Sequence, residues 1–96
     1  MKEYKQIIDE SVLEINKQLP AENNIKPDTD FEILGSNSNF DSMAIINFIL
    51  FIEEKIKFKY KKNLNLLNSI MEKVDHEKKY KLSDLYKDID KKIRNK

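Results

Sequence analysis

Ser42 is the residue best placed to carry chemistry, because its hydroxyl falls where a polar loop runs into an apolar helical stretch. Leu34-Gly35-Ser36-Asn37-Ser38-Asn39-Phe40-Asp41-Ser42 leads directly into the apolar segment from Met43 to Ile56. A hydroxyl at the start of a helix is exposed. A phosphate esterified to it lies near unpaired backbone N–H groups and the positive end of the helix dipole, both favourable to an anion. The junction therefore suits a phosphodiester attachment point. Asp41 and Ser42 are also helix-capping residue types, so a purely structural role for the pair accounts for the same local sequence.

Other chemistries find less support. His76 is the single histidine, it stands in a charged stretch, and no cysteine accompanies it; a triad or metal site cannot be assembled around it, and a structural or solvated role is expected. The carboxylates are numerous but dispersed along helix surfaces, so no acid and base pair stands out. One glycine cannot make a phosphate-binding loop. No catalytic residue and no metal ligand is expected, and the chain is not expected to be an enzyme. The strongest charge cluster, Lys55-Ile56-Lys57-Phe58-Lys59-Tyr60-Lys61-Lys62, alternates basic with apolar residues in the manner of a phosphate or anionic-surface contact. Against that, 18 basic and 17 acidic residues leave a net charge of only +1, so nucleic-acid binding is not expected and a solvated helix end is the simpler reading.

The elements that must position Ser42 are helices. Tyr4, Ile7, Ile8, Val12, Ile15 and Leu19 recur at steps of three and four, which predicts an amphipathic first helix ending at Pro20. From Pro20 to Asp41 the pattern disappears. Pro27-Asp28-Thr29-Asp30 and Gly35-Ser36-Asn37-Ser38-Asn39 are turn-forming clusters, and Phe31, Ile33, Leu34 and Phe40 are expected to pin this long loop to the core. A loop of about 20 residues in a small domain points to function. The second helix is predicted from Asp41-Ser42 to about Phe58, with Ile45, Phe48, Ile49, Ile52 and Ile56 as its buried stripe. Met43, Ile46 and Leu50 extend its apolar surface, either into a crowded bundle centre or as an exposed strip for a partner. Leu64, Leu67, Ile70, Met71 and Val74 fit a short third helix, and Asp75 to Lys81 reads as a polar connection. Leu82, Leu85, Ile89 and Ile93 mark the last helix, with Ser83 and Asp84 at its start and Lys91, Lys92 and Arg94 at its end, as the helix dipole favours.

The composition agrees with an all-α class. The chain has 96 residues, 36% charged and 40% hydrophobic, with one Gly, two Pro and no Trp, a mixture suited to helices and too poor in turn residues for a sandwich or barrel. A single domain over 1–96 is expected, with one modest core. The absence of cysteine removes disulfides and thiolate catalysis and makes a cytoplasmic location the expectation. The first ten residues, with Glu3, Asp9 and Glu10, do not read as a signal peptide. The apolar run Met43 to Ile52, interrupted by Asn47, is too short to span a membrane, and a soluble monomer is expected.

Asp41-Ser42-Met43, followed by Ile45-Ile46-Asn47-Phe48-Ile49 and Ile52-Glu53-Glu54-Lys55-Ile56, resembles the acyl carrier protein family. Its members carry Asp-Ser-Leu or Asp-Ser-Met at the start of the second helix and an acidic pair near its end. The resemblance extends over nearly the whole chain, including the amphipathic first helix, the long loop and the last helix, and it implies a four-helix acyl-carrier-like bundle with a short third helix. It also implies that Ser42 receives a 4'-phosphopantetheine arm from coenzyme A through a magnesium-dependent phosphopantetheinyl transferase. The arm's thiol would hold an acyl or aminoacyl group as a thioester, which reconciles a carrier role with a chain lacking cysteine. Implied partners are that transferase, an acyl- or aminoacyl-activating ligase, and downstream synthase or transferase enzymes of a biosynthetic pathway. Asp41 and Met43 match positions that help partners recognise the serine, and Ile46, Asn47 and Leu50 match second-helix positions that touch them.

Two departures narrow the resemblance. Leu34-Gly35 is separated from Asp41-Ser42 by Ser36 to Phe40, whereas fatty-acid carriers have Leu-Gly almost adjacent to the pair; this looks more like a discrete carrier of a specialised pathway. Ala44 and Asn47 also occupy positions that are often acidic, and lysines follow, so partner recognition is expected to rely more on apolar contact. The alternative is an unmodified helical interaction module whose Lys55 to Lys62 segment binds a protein, a nucleic acid or an anionic surface.

Overall fold

The computed structural model describes residues 2–26, 30–35, 38, 40–75 and 79–94. Among these are four α-helices, one 3-10 turn and a two-stranded sheet, an all-α bundle as composition and periodicity predict. Pro27, Asp28, Thr29, Ser36, Asn37 and Asn39 of the two turn clusters, and His76, lie outside the described residues.

Helix α1 spans Lys2–Asn16 and buries Tyr4, Ile7, Ile8, Val12 and Ile15, the predicted stripe. Ser11 is buried on the same face, where its hydroxyl donates to the Ile7 carbonyl at 2.9 Å and so needs no other partner. The helix stops before Pro20. Lys17, Gln18 and Leu19 donate to carbonyls three residues back, so the last turn tightens and the α pattern ends at Asn16. Pro20 then leads into a 3-10 turn, Ala21–Asn23.

The long connection contains more structure than its turn residues predict. Asn16 reaches across it and clamps Ile25 from both sides, donating to the Ile25 carbonyl at 2.9 Å and accepting its N–H at 2.8 Å. Strand β1, Glu32–Leu34, pairs antiparallel with β2, Tyr80–Lys81, with a register irregularity between Glu32 and Leu34. Both strands fall where the periodicity predicts none: β1 in the loop and β2 in the stretch read as a polar connection. Of the four expected pins, Ile33 is fully buried, Leu34 and Phe40 nearly so, and Phe31 is partly buried against the same core.

Helix α2 spans Ser42–Tyr60 and buries Ala44, Ile45, Phe48, Ile49, Ile52 and Ile56, one or two side chains per turn on the side facing the bundle centre. It ends at Lys61, whose left-handed backbone (φ 58°) lets its N–H bond the Lys57 carbonyl. Helix α3, Leu66–Asp75, is the shortest of the four; Glu53 of α2 accepts the Leu66 N–H at 2.6 Å and caps its start. Helix α4, Leu82–Arg94, buries Leu82, Leu85 and Ile89. Asp30 accepts both the Ser83 N–H, at 2.9 Å, and the Ser83 hydroxyl, at 3.1 Å, so the loop and the start of α4 are tied together. Helices α1 and α2 are antiparallel: Tyr4 meets Tyr60 edge-on at 5.9 Å, Lys55 pairs with Glu10 at 3.7 Å, and Asn47 donates to Gln18 at 2.8 Å.

Candidate functional site

The start of α2 is held from below by aromatic packing. Phe40, just ahead of the helix, packs tilted against Phe48 at 5.3 Å between ring centroids, and Phe31 meets both edge-on at 5.9 and 6.1 Å. Phe48 lies six residues after Ser42, so this cluster joins the loop end to the buried face of α2 and fixes where the serine emerges. Burial of each ring is worth about 2 kcal/mol. Ser38 reinforces the approach: its hydroxyl donates to the Ile33 carbonyl at 2.6 Å and accepts the Phe40 N–H at 3.1 Å. Gly35, with φ +139°, occupies a backbone conformation that residues with a side chain rarely adopt. A Cβ there would also fall 2.9 Å from the Glu32 Oε1.

The capping question has a specific answer. Asp41 is the N-cap, with an extended backbone (φ −85°, ψ 179°); its carboxylate accepts the Ala44 N–H at 2.7 Å, and its carbonyl accepts the first helical N–H, from Ile45, at 3.0 Å. Ser42 is the first helical residue. It is exposed, and its hydroxyl makes no hydrogen bond among the described residues. Ser42 therefore does not cap the helix, and the two residues that the sequence left interchangeable have separate roles. Of the first three helical N–H groups, that of Ala44 is taken by Asp41 and those of Ser42 and Met43 stay open among the described residues. An anion at Ser42 has those two donors and the helix dipole in its favour, with the Asp41 carboxylate opposing it on one side.

The remaining predicted residues spread over the outer surface of α2. Met43 is 63% exposed and Leu50 42%, while Ile46 and Asn47 are half-buried. Met43, Asn47 and Leu50 follow at four and three residues and share one side of the helix. Asp41, Met43 and Asn47 line a shallow depression of about 270 Å³ with Gln18, Leu19 and Pro20. Ile46 and Leu50 stand outside it. The apolar surplus of α2 is thus partly an exposed strip, and Ile46 is its most covered member.

The basic segment does not form one continuous ribbon. Ile56 and Tyr60 turn inward, Lys55 pairs with Glu10, and the Lys62 ammonium donates to the Ile93 carbonyl at 2.5 Å. Lys57, Lys59 and Lys61 are exposed, as is Phe58 at 81%; the Lys59 ammonium lies 5.7 Å from the Tyr60 ring centroid and that of Lys61 5.3 Å from the Phe58 ring centroid. Among the described residues no group of three or more His, Asp or Glu side chains is arranged to hold a metal ion, and no helix is long and apolar enough to cross a membrane. The sequence missed Ser38 and Gln18. Serine in a turn-rich loop carries no distinguishing signal, and the Gln18 contact joins positions 29 residues apart. No family model matches the chain, and neither a curated protein nor a solved structure is significantly similar to it.

Proposed function

We propose that the protein is a carrier that holds an acyl or aminoacyl group as a thioester on a 4'-phosphopantetheine arm attached to Ser42. It would deliver that group to enzymes of a biosynthetic pathway. The observation that carries the reading is the division of labour at the head of α2: Asp41 supplies the cap, so the exposed Ser42 hydroxyl has no structural task. The resemblance of Asp41-Ser42-Met43 and the helix that follows to the acyl carrier proteins gives that idle hydroxyl its chemistry. The Ser42 oxygen bonds to the phosphorus of the arm, the P–O bond of the coenzyme A pyrophosphate breaks, adenosine 3',5'-bisphosphate departs with that bridging oxygen, and the serine proton passes to a base on the transferase. Asp41, Met43, Ile46, Asn47 and Leu50 form the surface offered to the transferase and to the loading and consuming enzymes. The exposed Met43 and Leu50 supply the apolar part of that contact.

The alternative of an unmodified module working through Lys55 to Lys62 loses support from the engagement of Lys55 and Lys62 in contacts of the fold. The test is incubation with coenzyme A, magnesium and several broad-specificity phosphopantetheinyl transferases, followed by intact-mass measurement of wild type and Ser42→Ala. Wild type should gain one phosphopantetheine mass and the variant none. No gain with any transferase sinks the carrier reading, and a gain surviving Ser42→Ala sinks the site.

A further inference from the structure

The chain enters α2 through a residue that the proposed reaction does not use. The Ser38 N–H donates to the Gly35 carbonyl at 3.1 Å, and its hydroxyl donates to the Ile33 carbonyl at 2.6 Å while accepting the Phe40 N–H at 3.1 Å. Ile33 is the irregular residue of β1. Glu32 pairs with Lys81 and Leu34 with Tyr80, which are neighbours on β2, so Ile33 falls between them as the extra residue of a bulge, with no cross-strand partner of its own. Its side chain is fully buried, so Ser38 holds a carbonyl that belongs to a fixed part of the fold. On the other side, Phe40 is nearly buried and packs against Phe48, and its N–H has no acceptor among the described residues other than Ser38. Asp41 and Ser42 follow directly. One hydroxyl therefore joins the sheet to the last buried residue before the helix cap.

We propose that Ser38 is a positioning residue for the modification of Ser42, an inference whose enzymatic half rests on the carrier reading. Its hydroxyl holds Phe40 in the path that lets Asp41 cap α2, so Ser42 meets the transferase in one preset geometry. A buried N–H stripped of its acceptor costs more than an ordinary hydrogen bond contributes. Without the Ser38 hydroxyl, the Phe40 backbone is driven toward water, and Asp41 is the next residue. The Asp41 carboxylate reaches the Ala44 N–H at 2.7 Å from an extended backbone (φ −85°, ψ 179°), so displacement at Phe40 loosens the cap as well. A first turn that opens part of the time presents Ser42 competently for only part of the time. The apparent affinity of the transferase falls by that fraction, while the step after binding is unchanged. The signature is a raised KM with an unaltered kcat. A role confined to overall stability gives no such split, because every folded molecule then presents Ser42 alike.

The test compares the full wild-type chain with Ser38→Ala, Ser38→Thr and Asn16→Ala. Asn16→Ala is the control for stability, since it removes two hydrogen bonds of the same connection, both at Ile25. Circular dichroism checks that each variant is folded. One readout is amide hydrogen exchange at Ala44 and Ile45, whose N–H groups bond Asp41; the other is the steady-state kinetics of phosphopantetheine transfer from coenzyme A. Ser38→Ala should speed exchange at both amides about fivefold and raise the KM for the protein about threefold with kcat near wild type. Ser38→Thr keeps the hydroxyl and should restore both, and Asn16→Ala should leave both near wild type. If Ser38→Ala does not fold, Ser38→Cys, a weaker hydrogen-bonding group of similar size, should change both in the same direction. The proposal is overturned if the Ser38 variant matches wild type, if Asn16→Ala moves both readouts as far, or if Ser38→Thr behaves like the alanine variant. A wild-type chain that no transferase modifies overturns the carrier reading and the enzymatic half with it, while exchange at Ala44 and Ile45 still decides whether Ser38 holds the start of α2.

Discussion

Asp41 and Ser42 are adjacent polar residues with different physical roles, and substitution can separate them. Asp41→Ala removes the acceptor of the Ala44 N–H and should cost about 1 kcal/mol of stability, read from the urea midpoint. Asp41→Asn keeps a capping oxygen and should stay near wild type in the same measurement. A fall in modification rate with Asn therefore reports the lost charge and not the lost cap. Ser42→Ala should leave stability within about 0.5 kcal/mol of wild type, because its hydroxyl is bonded to nothing among the described residues. A larger loss would mean that Ser42 has a structural task after all. The sequence marked this junction but left the two roles interchangeable, since residue type alone cannot say which oxygen turns back onto the helix.

The helices were legible because burial repeats along them. The α2 stripe from Ile45 to Ile56 and the α4 stripe of Leu82, Leu85 and Ile89 follow the 3.6-residue period with no exception large enough to hide it. The strands were not legible. β1 has three residues and β2 two, too few for an alternating pattern, and they pair across more than forty intervening residues. Tyr80, the single buried ring between lysines, gives no period to read. Phe58 was obscured for the opposite reason: it sits in a basic-apolar alternation, but residues two apart on a helix point to nearly opposite sides, so Ile56 and Tyr60 turn inward while Phe58 faces out. The loop is held by specific polar contacts that can be broken one at a time. Asn16→Ala leaves the Ile25 N–H and carbonyl without their partner and should cost about 1–3 kcal/mol in urea unfolding. Gly35→Ala forces a Cβ into a backbone at φ +139° and should cost at least about 1 kcal/mol by the same assay.

For the molecule as a whole, stability should decline in alkali through a bond that joins β2 to α4. The Tyr80 hydroxyl donates to Asp88; burial first, then that bond and the negative charges of Asp88 and Asp84, hold its pKa far above the ordinary tyrosine value. Raised in the folded chain, this group contributes its full stability below about pH 10, the value of a tyrosine in an unfolded chain. The contribution is lost as pH rises further, because the unfolded chain then releases a proton that the folded chain keeps. Tyr80→Phe should cost about 1 kcal/mol at neutral pH and flatten the fall in urea midpoint above about pH 10. An equal alkaline fall in the variant would remove Tyr80 as its cause. The central claim concerns what this bundle presents at the head of α2, and its most direct measurement is fragmentation mass spectrometry of the chain co-expressed with a broad-specificity phosphopantetheinyl transferase. The account predicts one phosphopantetheine group, on the peptide containing Ser42 and on that residue. Its absence with every transferase tried, or its location on another residue, would contradict the account.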